Sequence, residues 1–569
     1  MITNIPLSIL LLLQIIYNTI LKFHIFPTSW RTTVISEIFK NKGSMSVAKN
    51  YRGISLVHLL AKLFDFILLE RFKRWFVPAD EQTAYREKRG SADHVFLLRC
   101  MSQHAKRFKL KLFMIAIDFD GAFDRVCRSL LIRKLCLFGA GTVFTACLAS
   151  IYMSTDNIIF RGNAYVTYKL YSGIKQGLPL SPLLFLFYIN DVFSYLGLLY
   201  DHGKNAMDLL HILIHADDAT ILARDRATAI SKLQSMLEYC DLNKIICQFS
   251  KCEFLVVNGE SGDSEPLPFG KDKLKNVDHI LLLGSHLSSA ASVKEELKLH
   301  MCKRFRSVIK FYNFLRSNVV APLKVKLKVL KSCVLTSLLY NCETWGNTIP
   351  EDLESTYLKL LKSCLNVRLS TPNAITYIES GFLPIKAVIL TRQFKFYARF
   401  KESIQKNSRR EKMFKLLLEN QTSFIRHYEQ LLSKYSSVED IINEFRNQTK
   451  DKIHEQARKG RTKFSTYLEM NPTLNSSPLL DVIHPVVNDM TRFRLGSHFL
   501  PIETGRWTRL NRDERLCNTC GEIGDEKHIL FSCSRIDRSD TNLSDSIDQI
   551  WTEPDLYKIF RQIRKHQLV

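Results

Sequence analysis

Residues 210–223 read LHILIHADDATILA. Leu210, Ile212 and Ile214 alternate with polar or second-face positions, then comes Ala216-Asp217-Asp218 and a second apolar run. The stretch predicts a β-hairpin with two adjacent acids at its tip. Paired acids in a turn are ordinary turn chemistry, but apolar strands on both sides weaken that reading. About a hundred residues earlier, LFMIAID (112–118) is a short apolar run ending in a carboxylate, and FDGAFDRV (119–126) reads as a turn into a helix. An acid at the end of a buried strand is costly unless something positive meets it. If Asp118 lies beside Asp217 and Asp218, the three carboxylates repel one another and divalent cations are the natural remedy. Such a cluster suits two-metal phosphoryl transfer. Between the acids lies SGIKQGLPLSPLLFLFYIND (172–191). Its two glycines flank Lys175 and Gln176 and allow close backbone approach, and Pro-Leu-Ser-Pro then opens an apolar helix.

The chain has 569 residues, with 80 Lys+Arg against 56 Asp+Glu and a net charge of +24. Its length predicts about three or four domains and excludes a single small module. Its charge favours a polyanionic partner, with nucleic acid ahead of anionic membrane. The fourteen cysteines show no disulfide framework. Most, including Cys136, Cys147, Cys333 and Cys364, read as buried free thiols of an intracellular protein. The apolar start, PLSILLLLQIIYNTIL (6–21), has no basic leader or small-residue cleavage site, is short for a membrane span, and carries a polar stripe at Gln14, Asn18 and Lys22. It reads as a mostly buried helix.

Residues 1–260 alternate helical and strand-like stretches. The polar run NGESGDSEPLPFG (258–270) reads as a loop or boundary, and from 291 to about 470 the pattern is helical with cationic faces. Near the end, Cys517-x2-Cys520-x7-His528-x4-Cys533 places four soft or borderline ligands in the spacing of tetrahedral structural zinc. The arginine-rich RFRLGSHFLPIETGRW (492–507) and RLNRDER (509–515) beside it predict a basic knuckle that grips RNA or DNA backbone.

Taken together, these stretches resemble the reverse transcriptases of non-LTR (LINE-like) retrotransposons of the jockey or RTE type. The resemblance runs in order through NYRGISLVHLLAKLFDFILLERF (50–72), EQTAYREKRGSADHVFLL (81–98), IDFDGAFD (117–124), GIKQGLPLSPLLF (173–185), HADD (215–218), SKCEFLVVN (250–258), LLLGSHLS (281–288) and LLYNCETWG (338–346). It implies an α+β right-hand polymerase followed by a helical domain and a small zinc-binding module. Fingers and palm would occupy 1–260, the end of the palm and a helical thumb 261–350, a helical connection 351–490, and the Cys/His module 491–569.

By the same resemblance Asp118, Asp217 and Asp218 would bind two Mg2+ ions. Phe123 would stand beneath the incoming sugar and exclude a 2′-hydroxyl, or else simply pack in the core. Lys40 and Arg52 would neutralise the triphosphate, although an exposed charge is the plain alternative for Lys40. Gln176 and Gly177 would contact nucleotide and template. Lys251 would donate a proton to departing pyrophosphate, or be a solvated lysine before a strand. The basic helices of 294–333 match a thumb that tracks a primer-template hybrid.

Two departures follow. His215 replaces the family's usual Phe or Tyr before Ala-Asp-Asp, next to where the primer terminus should lie, and its ordinary pKa falls in the physiological range. Either polymerisation survives with altered efficiency, or the chain is a decayed or co-opted element fragment that only binds nucleic acid. The family's usual endonuclease does not fit ahead of the fingers, which implies a separate endonuclease or existing DNA ends as partner. The expected function is RNA-directed DNA synthesis with RNA template, DNA primer or target and deoxynucleoside triphosphates, in the cytoplasm as a ribonucleoprotein and in the nucleus. An RNA-templated RNA polymerase is disfavoured by Phe123.

Overall fold

Short apolar runs separated by turn residues become strands, and the longer apolar stretches around them become helices. The computed structural model describes residues 5–41, 43–152, 155–200 and 209–568. They divide into two compact units, one comprising the residues up to 292 together with 399–425, the other 293–398 together with 426 onward.

The first unit holds two larger sheets and a two-stranded antiparallel ribbon of His279–Leu282 and Ser285–Ser288. Strands β1 (Thr33–Phe39), β2 (Tyr51–Leu56), β3 (Leu112–Asp118), β4 (Thr155–Arg161), β5 (Ala164–Leu170), β6 (Ile212–His215), β7 (Asp218–Ala223), β8 (Glu253–Val257), β9 (Leu267–Phe269) and β10 (Asp272–Asn276) follow in chain order. The order is β2-β1-β4-β5 in the four-stranded sheet and β6-β7-β3-β8-β10-β9 in the six-stranded one. Central strand β3 lies antiparallel between β7 and β8. It can be apolar from Leu112 to Ile115 because these residues are buried on both faces. This is the α+β organisation that the sequence predicts for this part of the chain.

Several expectations change. The helix Leu7–Phe23 forms, but it is mostly exposed rather than mostly buried, with Leu7 72%, Leu11 52% and Ile15 63% accessible. It touches the core only along Leu13, Ile16, Tyr17, Ile20 and Leu21, the i, i+3, i+4, i+7 stripe of one helix face. Tyr17 fixes it by donating to the Leu60 carbonyl at 3.0 Å. The polar run at 258–270 is no boundary, because Leu267 and Phe269 on β9 are fully buried in the same core as β3. All fourteen cysteines are free, yet Cys136, Cys302 and Cys333 are exposed, since they fall on outward helix positions.

The second unit is helical from Val293 onward, beginning with the 25-residue helix Val293–Ser317. Its Lys303, Arg306 and Lys310 face solvent. Residues 491–568 share one core with earlier helices, in which Leu323, Tyr467, Met490, Cys533, Trp551 and Phe560 are all buried. Among the described residues no single helix is long and apolar enough to cross a membrane.

Candidate active site and metal-ligand cluster

The hairpin at 210–223 forms as the sequence predicts. His215 on β6 pairs with Asp218 on β7, so Ala216 and Asp217 are the two turn residues. Ala216 takes φ 59°, a left-handed conformation that costs a non-glycine residue about 1 kcal/mol. On the other side of β7, Asp118 is the register partner of Asp218. Directly opposed residues of an antiparallel pair project to the same face, so the hairpin and β3 bring all three predicted carboxylates together.

Their electrostatics record the crowding. Burial, followed by the charges of Asp217 and Asp118, pushes the Asp218 carboxyl up to about 6. Asp217 is also raised by burial and by Asp118, against the opposing pull of Arg52 and Lys251. Lys251 donates from Nζ to Asp118 Oδ2 at 2.7 Å. Arg52, exposed on β2, is thus close enough to act on Asp217. Lys40 is exposed just beyond β1, its Nζ donating to the Lys49 carbonyl at 2.8 Å, and its charge acts on Asp124.

The glycine loop closes another side. A Cβ on Gly177, at φ 129°, would lie 2.7 Å from the Ser55 carbonyl oxygen of β2, and one on Gly173, at φ 81°, 2.6 Å from that of Asp124. Glycine at both positions is therefore a requirement of close backbone approach. The loop is anchored by Ser55 N donating to Gln176 O at 2.7 Å, Gly173 N to Val126 O at 2.8 Å and Ile174 N to Phe123 O at 3.0 Å. Gln176 Nε2 donates to Asp124 Oδ1 at 2.9 Å. Phe123 is half-buried and stacks on Phe185, with centroids 4.7 Å apart.

His215 is neutral at physiological pH, since burial brings its imidazole down to about 4. Its Nδ1 lies 2.9 Å from Thr83 Oγ1, and its ring meets His94 edge-on. Residues 81–83 run beside β6, with Ile214 N donating to Glu81 O at 3.1 Å and Thr83 N to Ile214 O at 2.9 Å. Gln82 Oε1 accepts from the amide of the strained Ala216 at 3.2 Å. These supports were not legible in the sequence. Neither was Arg128, whose guanidinium holds the loop through the carbonyls of Gly173 (2.8 Å), Tyr152 (3.0 Å) and Leu170 (2.6 Å). Hydrogen-bond pairing with residues 24 to 134 positions away leaves no local pattern.

In the second unit, the ligand atoms of Cys517, Cys520, His528 and Cys533 lie within 4.8 Å of one another. Gly521 N donates to Cys517 O at 2.9 Å, closing the Cys-x2-Cys turn with Gly521 at φ 71°. His528 Nδ1 is 2.9 Å from Glu522 Oε2, while its Nε2 is buried without a hydrogen-bond partner. A carboxylate on one imidazole nitrogen with the other offered to a thiol cluster is the outer arrangement of metal-binding histidines. The cluster is compatible with a zinc site.

Comparison with known proteins bears on the region as a whole. Residues 38–287 match the family model of the reverse transcriptases (RNA-dependent DNA polymerases). The chain is similar to the retrovirus-related Pol polyprotein from type-1 retrotransposable element R2 of Popillia japonica, 23% identical over 63% of this chain and 51% of that protein. It is also similar to the probable RNA-directed DNA polymerase from transposon BS of Drosophila melanogaster, 24% identical over 60% of this chain and 38% of that protein. The RNA-directed DNA polymerase from mobile element jockey of the same fly is 20% identical over the same shares. The chain thus spans between two fifths and about half of the length of these relatives. Among solved structures, apo telomerase from Candida tropicalis aligns over 75% of this chain and 74% of that chain, with 14% identity and a TM-score of 0.36. Residues 38–287 of this chain thus carry a match to the reverse transcriptase domain, and the relatives that resemble it are encoded by transposable elements.

Proposed function

We propose that this chain is an RNA-directed DNA polymerase, extending a primer 3′-hydroxyl on an RNA template with deoxynucleoside triphosphates. The observation that carries the reading is the opposition of Asp118 and Asp218 across adjacent strands with Asp217 in the adjoining turn. Burial and mutual repulsion raise two of these acids, which fits a site that gains from divalent cations. Asp118, Asp217 and Asp218 would hold two Mg2+ ions. When bound, such ions favour ionisation of an attacking hydroxyl and neutralise charge on the departing pyrophosphate.

The chain's own groups do the rest. Lys251 Nζ donates to Asp118 Oδ2, a position from which it can give a proton to the leaving pyrophosphate. Arg52 and Lys40 supply cations for the triphosphate from the ends of β2 and β1. Phe123, stacked on Phe185, offers a fixed ring edge that excludes a 2′-hydroxyl. Gln176 and Gly177, fastened to Asp124 and Ser55, form a rigid backbone surface for nucleotide and template. Neutral His215, oriented by Thr83, presents an uncharged planar ring to the primer end. Zn2+ held by Cys517, Cys520, His528 and Cys533 would be structural, binding the last core segment together. The abundance of free thiols suits residence inside the cell, as a cytoplasmic ribonucleoprotein and in the nucleus.

The test is incorporation of labelled deoxynucleotides on a primed RNA with Mg2+. The wild-type chain should extend the primer, Asp217→Asn should not, and ribonucleotides should be rejected. Absence of extension by the wild type, or extension that survives Asp217→Asn, would overturn the reading.

A further inference from the structure

In the second unit, Phe499 and Trp507 stand 6.1 Å apart with their rings perpendicular. Both are large apolar groups left open to water, 44% and 55% accessible. The Arg368 guanidinium lies against both rings, 4.7 Å from the centroid of Phe499 and 4.3 Å from that of Trp507. It is fixed there, because its Nη2 donates to the His498 carbonyl at 3.1 Å and its backbone amide to Ser497 Oγ at 2.9 Å. Arg492 approaches Phe499 at 5.7 Å. Leu369, next in the chain to Arg368, is 63% accessible. Exposed Arg509 and Arg512 follow Trp507 in the chain. Of the acids nearby in sequence, Glu503 is buried with Lys463 and Arg506 as its counter-charges, whereas Asp513 and Glu514 are exposed and Arg512 lies 3.7 Å from Asp525. The surface is therefore aromatic at its centre, with the Arg368 and Arg492 guanidiniums against the rings.

Aromatic rings presented in a positive field fit one class of partner well. Unpaired nucleobases stack on such rings while their phosphates meet the arginines, and guanidinium planes stack as well. A duplex hides its bases and would use only the charges. We propose that Phe499, Trp507 and Arg368 form a stacking platform for an unpaired RNA strand. The assignment to RNA rests on the polymerase reading above, in which the template is the strand present in unpaired form.

The experiment measures fluorescence anisotropy of a labelled oligouridine of about 12 nucleotides with the full chain carrying Asp217→Asn, at fixed physiological salt. Adding Trp507→Ala should weaken binding about 5- to 150-fold, while Trp507→Phe, which keeps a stacking ring, should stay within about 3-fold. Affinity for an RNA duplex of the same length should change less than about 2-fold, and both variants should melt like their parent. Unchanged oligouridine affinity in Trp507→Ala would overturn the platform. So would an equal loss for the duplex, a loss confined to oligothymidine, or a change in oligomeric state without nucleic acid. Because binding is read in a protein that cannot polymerise, failure of the wild type to incorporate deoxynucleotides would strike the polymerase reading and leave this readout standing.

Discussion

Replacing Asp218 by Asn should make the cation-free protein more stable. Burial and the charges of Asp217 and Asp118 raise its carboxyl from 3.8 to about 6. The folded value lies above the unfolded one, so the native state binds more protons between about pH 4 and pH 6. Stability therefore falls as pH rises through that window, and the penalty is complete above it. The full rise corresponds to ~3 kcal/mol. Solvent reaches this half-open site and screens the charges, so ~1–2 kcal/mol is the expected penalty near neutral pH. Asparagine keeps the shape and removes the charge. In chelator near pH 7.5, Asp218→Asn should raise the melting temperature of the first unit by roughly 2–6 °C, and the gain should shrink towards pH 5. Mg2+ at about ten times its dissociation constant should return ~1.4 kcal/mol to the wild type and much less to the variant. Differential scanning calorimetry across pH, with and without Mg2+, measures all of this. A variant melting at or below its parent in chelator, or equal stabilisation of both by Mg2+, would refute the argument that carboxylate repulsion defines the site.

Gly177→Ala forces a Cβ to 2.7 Å from the Ser55 oxygen at φ 129°, strain of about 1–3 kcal/mol that should detach the loop from β2. Single-nucleotide incorporation should show KM for deoxynucleotide raised roughly tenfold or more, and a change under about twofold would count against the loop's role. His215 is already neutral and held by Thr83, so His215→Tyr should leave primer extension within about 3-fold of the parent. A gain above tenfold, about 1.4 kcal/mol, would instead mean that the histidine impairs the site. Purified protein should carry about one zinc, lost with His528→Ala and accompanied by a lower unfolding temperature of the second unit. Elemental analysis near zero together with indifference to chelators would sink that assignment. Arg410, fully buried, is 3.5 Å from Asp93 and 3.9 Å from Asp80. Arg410→Met should cost roughly 3 kcal/mol in urea denaturation, and a loss below about 1 kcal/mol would show that Arg89 and Arg399 suffice.

Chemistry that depends on local pattern was legible before the structure. The Asp-Asp hairpin, the strand ending in Asp118, the glycine loop and the Cys/His spacing each occupy fewer than about twenty residues, and turn geometry or ligand spacing fixes their conformation. Burial was less legible. The run PLSILLLLQIIYNTIL is apolar nearly all round, yet only one stripe finds a partner, because hydrophobicity states what a side chain prefers and neighbours decide what it receives. The stretch 258–270 looked like a loop or boundary from its glycine, serine and proline content, although Leu267–Phe269 near its end form β9. Leu267 and Phe269 are its only buried apolar residues, two positions too few to outweigh the polar residues around them. Residues 399–425 belong to the first unit, and long-range contacts reveal it, both the packing of Phe400, Phe414 and Phe424 on Phe96 and ion pairs.

Those ion pairs bear on how the acidic site is held. Three carboxylates and a left-handed Ala216 make the hairpin tip unfavourable by itself, so its geometry must be imposed from behind. Residues 81–83 do this through Ile214, His215 and Ala216, and the flanking acids on that segment, Asp80 and Asp93, are both buried. Buried carboxylates need cations. Arg89 supplies one to Asp80 from within the same segment, whereas Arg399, at 2.6 Å, and Arg410 reach Asp93 from residues more than three hundred positions later. Part of the total of 80 Lys+Arg is therefore internal counter-charge that cancels buried acids, and fewer cations than that total are left at the surface. Arg86, Arg89 and Arg410 hold the acidic hairpin's support in place, and under the proposed function that leaves phosphate contacts to exposed cations such as Lys40, Arg52, Lys303 and Arg306.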